Sequence, residues 1–180
     1  MHYLGMSRSL SIQVLFVLLL LSPKSFAESC LDDIVSAAGL SQFKVNSNGT
    51  VEDKKRNLMW KVCLEGLSYK GSCSSGNVGN PHSWLGAIKV ADGSRFAGYS
   101  DWRLPNYKEL VSIVDVSCRP VALNIYVFPY QAVQSVWSST PFEDADIGEG
   151  FVWGFDYFTR KAILLNRKAA HGAVRLVRDL

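Results

Sequence analysis

Gly98-Tyr99-Ser100-Asp101-Trp102-Arg103-Leu104-Pro105-Asn106, followed by Glu109, is the stretch that decides the fold of this 180-residue chain. Pro105 fixes its own φ and donates no N–H, so it closes a turn-rich link and leaves Asn106 to start a helix. Asn106 and Glu109, three residues apart, approximate a capping box, in which each side chain satisfies the other's backbone N–H. Tyr107, Leu110, Val111 and Val114 then recur at i, i+3, i+4 and i+7, which predicts a helix with one apolar stripe. Upstream, Ser83 can cap an earlier helix whose Trp84, Ala87, Ile88 and Ala91 share a face. A Gly/Ser/Asn-rich loop over 71–81 leads into that helix.

Strands lie on either side of the two helices. Residues 43–45 and 50–52 bracket Asn46-Ser47-Asn48-Gly49, whose Asn-Gly step marks a hairpin turn. Residues 57–63 read as a third strand. After Pro120 the pattern turns to period two or to continuous apolar runs at 133–139, 151–158, 162–166 and 173–178. Strands, two helices and strands again make an α+β layout rather than an alternating β-α-β one.

The N-terminus reads as an export signal. Arg8 precedes an uncharged apolar run, 10–21, Pro23 breaks it, and Ser25-Phe26-Ala27 sets small residues at a cleavage site before Glu28. The run is too short to span a bilayer comfortably, so 1–27 is expected to be cleaved and 28–180 to form one domain with no membrane span. Cleavage removes Arg8 and Lys24 and no acid, taking the net charge from +3 to +1. A charge that small gives no global field for nucleic acid. Cys30, Cys63, Cys73 and Cys118 all survive cleavage, an even number that suggests two disulfides in an oxidising compartment. Cys63 with Cys73 is the cheapest local pairing, and Cys30 with Cys118 follows by elimination. No C-x-x-C spacing supports zinc.

At Asp101-Trp102-Arg103-Leu104-Pro105 the chain resembles the Lcl C-terminal domain family, named after a bacterial collagen-like adhesin. The likeness covers nearly all of 43–178. Asn48-Gly49-Thr50-Val51-Glu52-Asp53 with Asn57-Leu58-Met59-Trp60 is similar to the family's opening motif. Ala97 to Asn106 with Lys108-Glu109-Leu110 resembles its centre, Val136-Trp137-Ser138-Ser139-Thr140 a later strand, and Val174-Arg175-Leu176-Val177-Arg178 its close. The resemblance implies a disulfide-stabilised, C-type-lectin-like fold, with two helices packed on twisted antiparallel sheets. The adhesin that names the family binds sulfated glycosaminoglycans, so the resemblance also raises a glycan ligand. Family members often carry cysteines in the helix before the centre and in the closing strand. Here 88–92 has none and the closing strand has Leu176. The same Trp-Arg-Leu-Pro run resembles formylglycine-generating enzymes, but their reactive C-terminal cysteines have no counterpart after Cys118.

Asp101, Trp102, Arg103 and Pro105 read as a structural signature: a turn with hydrogen-bonding charges and a Trp in the core. His82 and His171 accompany no nucleophile motif, so no catalytic constellation is expected. The acidic run 143–149 offers oxygen ligands for Ca²⁺ but lacks EF-hand spacing, and a solvated loop is the better reading, with no metal or cofactor expected. Phe151, Trp153, Phe155 and Tyr157 alternate onto one strand face, which reads as core before saccharide platform. Residues 160–178 hold Arg160, Lys161, Arg167, Lys168, Arg175 and Arg178 and no acid, a local charge of +6. A sulfated or otherwise acidic glycan could be held there, chiefly by Arg160, Lys161, Arg167 and Lys168, with Arg175 and Arg178 tied into the closing strand. The expected function is therefore a periplasmic or secreted, adhesin-like binding module for an acidic glycan or envelope polysaccharide, and not an enzyme. A protein-interaction or structural subunit of the envelope is the alternative.

Overall fold

The computed structural model describes residues 29–30, 41–73, 82–119, 122–129, 135–144, 146 and 150–180. The expected export signal at 1–27 and most of the expected 71–81 loop lie outside them. In chain order the elements are β1 (Ser29–Cys30), β2 (Phe43–Val45), β3 (Thr50–Asp53), β4 (Leu58–Lys61), α1 (Trp84–Gly93), α2 (Tyr107–Ser112), β5 (Cys118–Arg119), β6 (Ser135–Phe142), β7 (Phe151–Asp156), β8 (Lys161–Asn166) and β9 (Val177–Asp179). They form a four-stranded sheet β2-β3-β4-β9, a three-stranded sheet β6-β7-β8 and a two-stranded pair β1-β5, all antiparallel. The α+β layout of the sequence is thus the layout of the molecule.

Local chemistry explains most of the elements. Gly49 takes the positive φ of +82° that the β2–β3 turn needs. The Ser83 side chain caps α1 by accepting from the Gly86 N–H. At α2 the capping box closes both ways: Asn106 Oδ1 accepts from the Glu109 N–H, and Glu109 Oε2 accepts from the Asn106 N–H. The helix is shorter than its stripe suggested. It ends at Ser112, so Ile113 turns into the core at 3% exposure while Val111 stands 38% exposed.

The closing strand also differs from expectation. Ala173 exchanges hydrogen bonds with Ser135 and Trp137 at β6, Val174 accepts from the Glu65 N–H, and Leu176 accepts from the Lys61 N–H. Only at 177–179 does a ladder with β4 form. The segment changes partners midway, so no single strand runs over 173–178; it stitches the two large sheets together. Residues 173–177 are all buried as a result.

Two apolar clusters share this seam. One joins Trp60, Leu110, Phe128, Phe155 and Tyr157 between the four-stranded sheet and α2. The other joins Ala87, Ala91, Trp102, Trp137, Val152, Leu165 and Leu176 under α1. The β6-β7-β8 sheet therefore has α1 on one face and α2 on the other. Leu176 shares its cluster with Ala87 and Ala91, so apolar packing joins the closing segment to α1. Cys63 and Cys73 are bonded, with Cα atoms 5.4 Å apart. Closing that loop contributes about 3 kcal/mol in the chain-entropy model. Cys118 is also disulfide-bonded, and the Cys30 backbone stands directly opposite it. The Cys30 side chain lies outside the described residues.

Candidate functional site

The central signature is a clasp. Trp102 is 3% exposed, donates its indole N–H to the Phe96 carbonyl at 3.1 Å, and has Phe96 and Tyr99 rings beside it. Asp101 and Arg103 do not pair with each other. Asp101 takes the Arg178 guanidinium on both oxygens at 2.8 and 3.0 Å, while Arg178 also lies over the Tyr99 ring. Arg103 forks onto both Glu109 oxygens at 2.9 Å and reaches Asp179 at 2.7 Å. Those hydrogen bonds hold the Asp101 carboxyl below the usual range and, led by Glu109, the Arg103 guanidinium above it. The signature thus fastens the start of α2 to the closing strand, and Pro105 presents its carbonyl to the Ser139 N–H at 2.8 Å.

The basic segment divides into three environments. Arg175 is wholly buried over the Phe128 ring and donates to the Val62 carbonyl at 3.0 Å; burial pushes its guanidinium down to about 10. Arg178 belongs to the clasp. The remaining four occupy the two ends of β8. Arg160, at φ +61° in the β7–β8 turn, reaches the Cys118 carbonyl, and Lys161 beside it is exposed. Arg167 stacks on the Trp84 ring at 4.9 Å and donates to the Phe151 carbonyl, and Lys168 beside it is exposed. Residues 162–166 separate the two pairs, and the six steps from Lys161 to Arg167 span about 20 Å at 3.3 Å per residue. They form two basic corners on one sheet edge rather than one patch.

A cleft that the sequence did not reveal lies beside the second corner. It encloses about 520 Å³ between α1, the Trp102–Asn106 segment and β6. Trp84, Ile88, Ala91, Trp102 and Leu104 give it apolar walls, and Asp92, Arg103, Asn106 and Ser139 supply its polar groups. Trp84 is held edge-on by its N–H to the Ser138 carbonyl at 2.9 Å, with Arg167 on its ring. Asp92 is exposed, and its carboxylate has no cationic partner among the described residues. The spacing of Trp84, Ile88, Ala91 and Asp92 marks one helix face, but only the fold brings Asn106 and Ser139 to it.

The other candidates are quieter. His171 is exposed, and His82 is engaged through its backbone with Gly172 and the Trp137 indole. No group of three or more His, Cys, Asp or Glu among the described residues could hold a metal; part of the 143–149 run lies outside them. Along β7, Phe155 and Tyr157 are core, whereas Trp153 is half-buried between Tyr107 and Phe142. Among the described residues no helix is long and apolar enough to cross a membrane.

Fold and clasp define a small α+β domain of antiparallel sheets and two short helices, disulfide-bonded and closed by its own C-terminal segment. The family model for the Lcl C-terminal domain matches residues 49–178, and the chain belongs to that family. No curated protein and no solved structure matches it.

Proposed function

We propose that this chain is an exported, non-enzymatic binding module of C-type-lectin-like architecture whose ligand is an acidic glycan or envelope polysaccharide. The observation that carries this reading is the pair of basic corners on β8. Lys161 and Lys168 are exposed and have no carboxylate partner among the described residues, as is also true of Lys54, Lys55, Lys70, Lys89 and Lys108, but Lys161 and Lys168 each stand next to an arginine in a segment without acids. An extended polyanion can span two such corners, and Arg160 and Arg167, pinned by hydrogen bonds, offer pre-ordered guanidinium groups beside the mobile-stemmed lysines. The signal-like 1–27 segment and the disulfides support export.

Retention on heparin, eluted with salt, tests the reading. The variant is Lys161→Ser with Lys168→Ser, which spares Arg160 and Arg167 because both also hold the fold. The control changes Lys54 and Lys70, which are exposed and distant in sequence. Elution at clearly lower salt for the first variant alone is expected, since binding by counterion release depends on the cations that touch the polymer. Equal elution of the two variants overturns a local site.

One observation favours the protein-interaction reading. Val116, Tyr126 and Phe158 are 68%, 62% and 53% exposed, and turns joined through Asp115–Asn124 and Ala122–Tyr157 hydrogen bonds carry them. Large exposed apolar side chains on one set of turns suit a protein partner.

A further inference from the structure

We infer that the cleft between α1 and the Trp102–Asn106 segment is a second binding site, and that it takes an uncharged pyranose ring. Its volume is in the range of small-ligand sites, which run from about 300 to 1,000 Å³, at about 520 Å³. The walls combine an apolar surface with planar polar side chains. Trp84, Ile88 and Leu104 match the C–H face of a sugar ring. The Asp92 carboxylate accepts from hydroxyls, and the Asn106 amide, whose oxygen already serves the Glu109 N–H, has its NH₂ left to donate. Ser139, exposed at the rim, adds a hydroxyl.

The charges of the cleft select against ions of either sign. Arg103 lines it, but Glu109 and Asp179 already answer that guanidinium, so it offers an anion little. Asp92 repels a sulfate or carboxylate directly. A cation gains less than the Asp92 carboxylate alone would give it, because the Arg167 guanidinium, 4.9 Å from the Trp84 ring centre, sets a like charge beside the same wall. What remains is a neutral ligand with many hydroxyls. This inference rests on the binding-module reading but not on the basic corners, and the two sites differ in the sign of ligand they accept.

The test titrates the chain with four neutral sugars, methyl β-glucoside, methyl β-galactoside, methyl α-mannoside and N-acetylglucosamine, followed by saturation-transfer NMR and Trp fluorescence. At least one is expected to saturate in the millimolar range, with an affinity unchanged between low and physiological salt. Asp92→Ala, at an exposed helix position, should weaken it about tenfold or more, the loss typical of a hydrogen bond to a charged group. Lys161→Ser with Lys168→Ser should leave it unchanged. Galactose 6-sulfate should bind no better than the galactoside. Absence of saturation by all four sugars, full affinity in a folded Asp92→Ala protein, or tighter binding of the sulfated sugar each overturns the inference. Heparin retention is read on the same proteins. Sugar binding without heparin retention removes the polyanion reading alone, and the converse removes the neutral site alone.

Discussion

Replacing Trp102 by Ala tests whether the central signature is structural. The side chain is 3% exposed, and a buried Trp removes roughly 200 Å² from water. At about 25 cal/mol/Å² that burial is worth about 5 kcal/mol. Its indole N–H satisfies the Phe96 carbonyl, and losing that bond adds about 1 kcal/mol. Because Trp102 also borders the cleft, water and neighbouring side chains refill part of the void, which brings the net cost to about 4–5 kcal/mol. That is a large share of the 5–15 kcal/mol typical of a domain, and it lowers the melting temperature by about 10–20 °C at this chain length. The assay is urea and thermal unfolding with disulfides intact, read by far- and near-ultraviolet circular dichroism. Trp102→Phe, which keeps a ring and loses the N–H, should fall between. A Trp102→Ala protein with unchanged melting temperature and abolished ligand binding refutes the structural assignment.

Two further predictions follow from individual contacts. Gly154→Ala should destabilise the β6-β7-β8 sheet by about 1–3 kcal/mol, because an added Cβ would come within 2.8 Å of the Val136 carbonyl oxygen and 2.6 Å of Leu165; denaturant melts measure it, and a wild-type midpoint would contradict the packing described. Asp101 has its carboxyl lowered by Arg178, so the unfolded chain takes up that proton first as pH falls. The stabilisation is then present above the ordinary aspartate value of about 3.9 and is lost as pH drops through the lower folded one. Asp101→Asn should therefore flatten the acid limb of stability against pH, and an unchanged acid limb would show that the Arg178 pair is not linked to folding.

What could be read from the sequence was local. The Ser83 cap, the Asn106–Glu109 box, the Gly49 turn and the Cys63–Cys73 bond all join residues no more than 10 positions apart, where turn and cap chemistry operate directly. The buried position of Trp102 was also legible, since a Trp between charged turn residues has only the core to fill. The Arg178 partner of Asp101 and the Asp179 partner of Arg103 were not, because both lie more than 70 residues away. Nor was the split of Arg160, Lys161, Arg167 and Lys168 into two separate corners. That Arg175 stands apart from Lys168 was legible, because it sits in the apolar closing run; its full burial against the Lys61 and Val62 carbonyls was not, since those arrive from β4 and its end. The cleft failed to register for the same reason: its polar groups come from α1, the α2 cap and β6.

The closing segment has a kinetic consequence. Arg175 bonds a carbonyl 113 positions earlier, so the loop it closes spans most of the domain. Chains dominated by such distant pairings fold slowly, because the entropy of the loop is lost before the contacts form. Until residues 172–179 dock, β4 is an open edge carrying Met59 and Trp60, and β6 lacks the strand-like partner at Ala173. Both are templates for pairing between molecules. Substitutions at the buried Val174 or Leu176 should therefore lower the stability of the folded domain and raise aggregation during refolding together, by leaving both edges unpaired for longer.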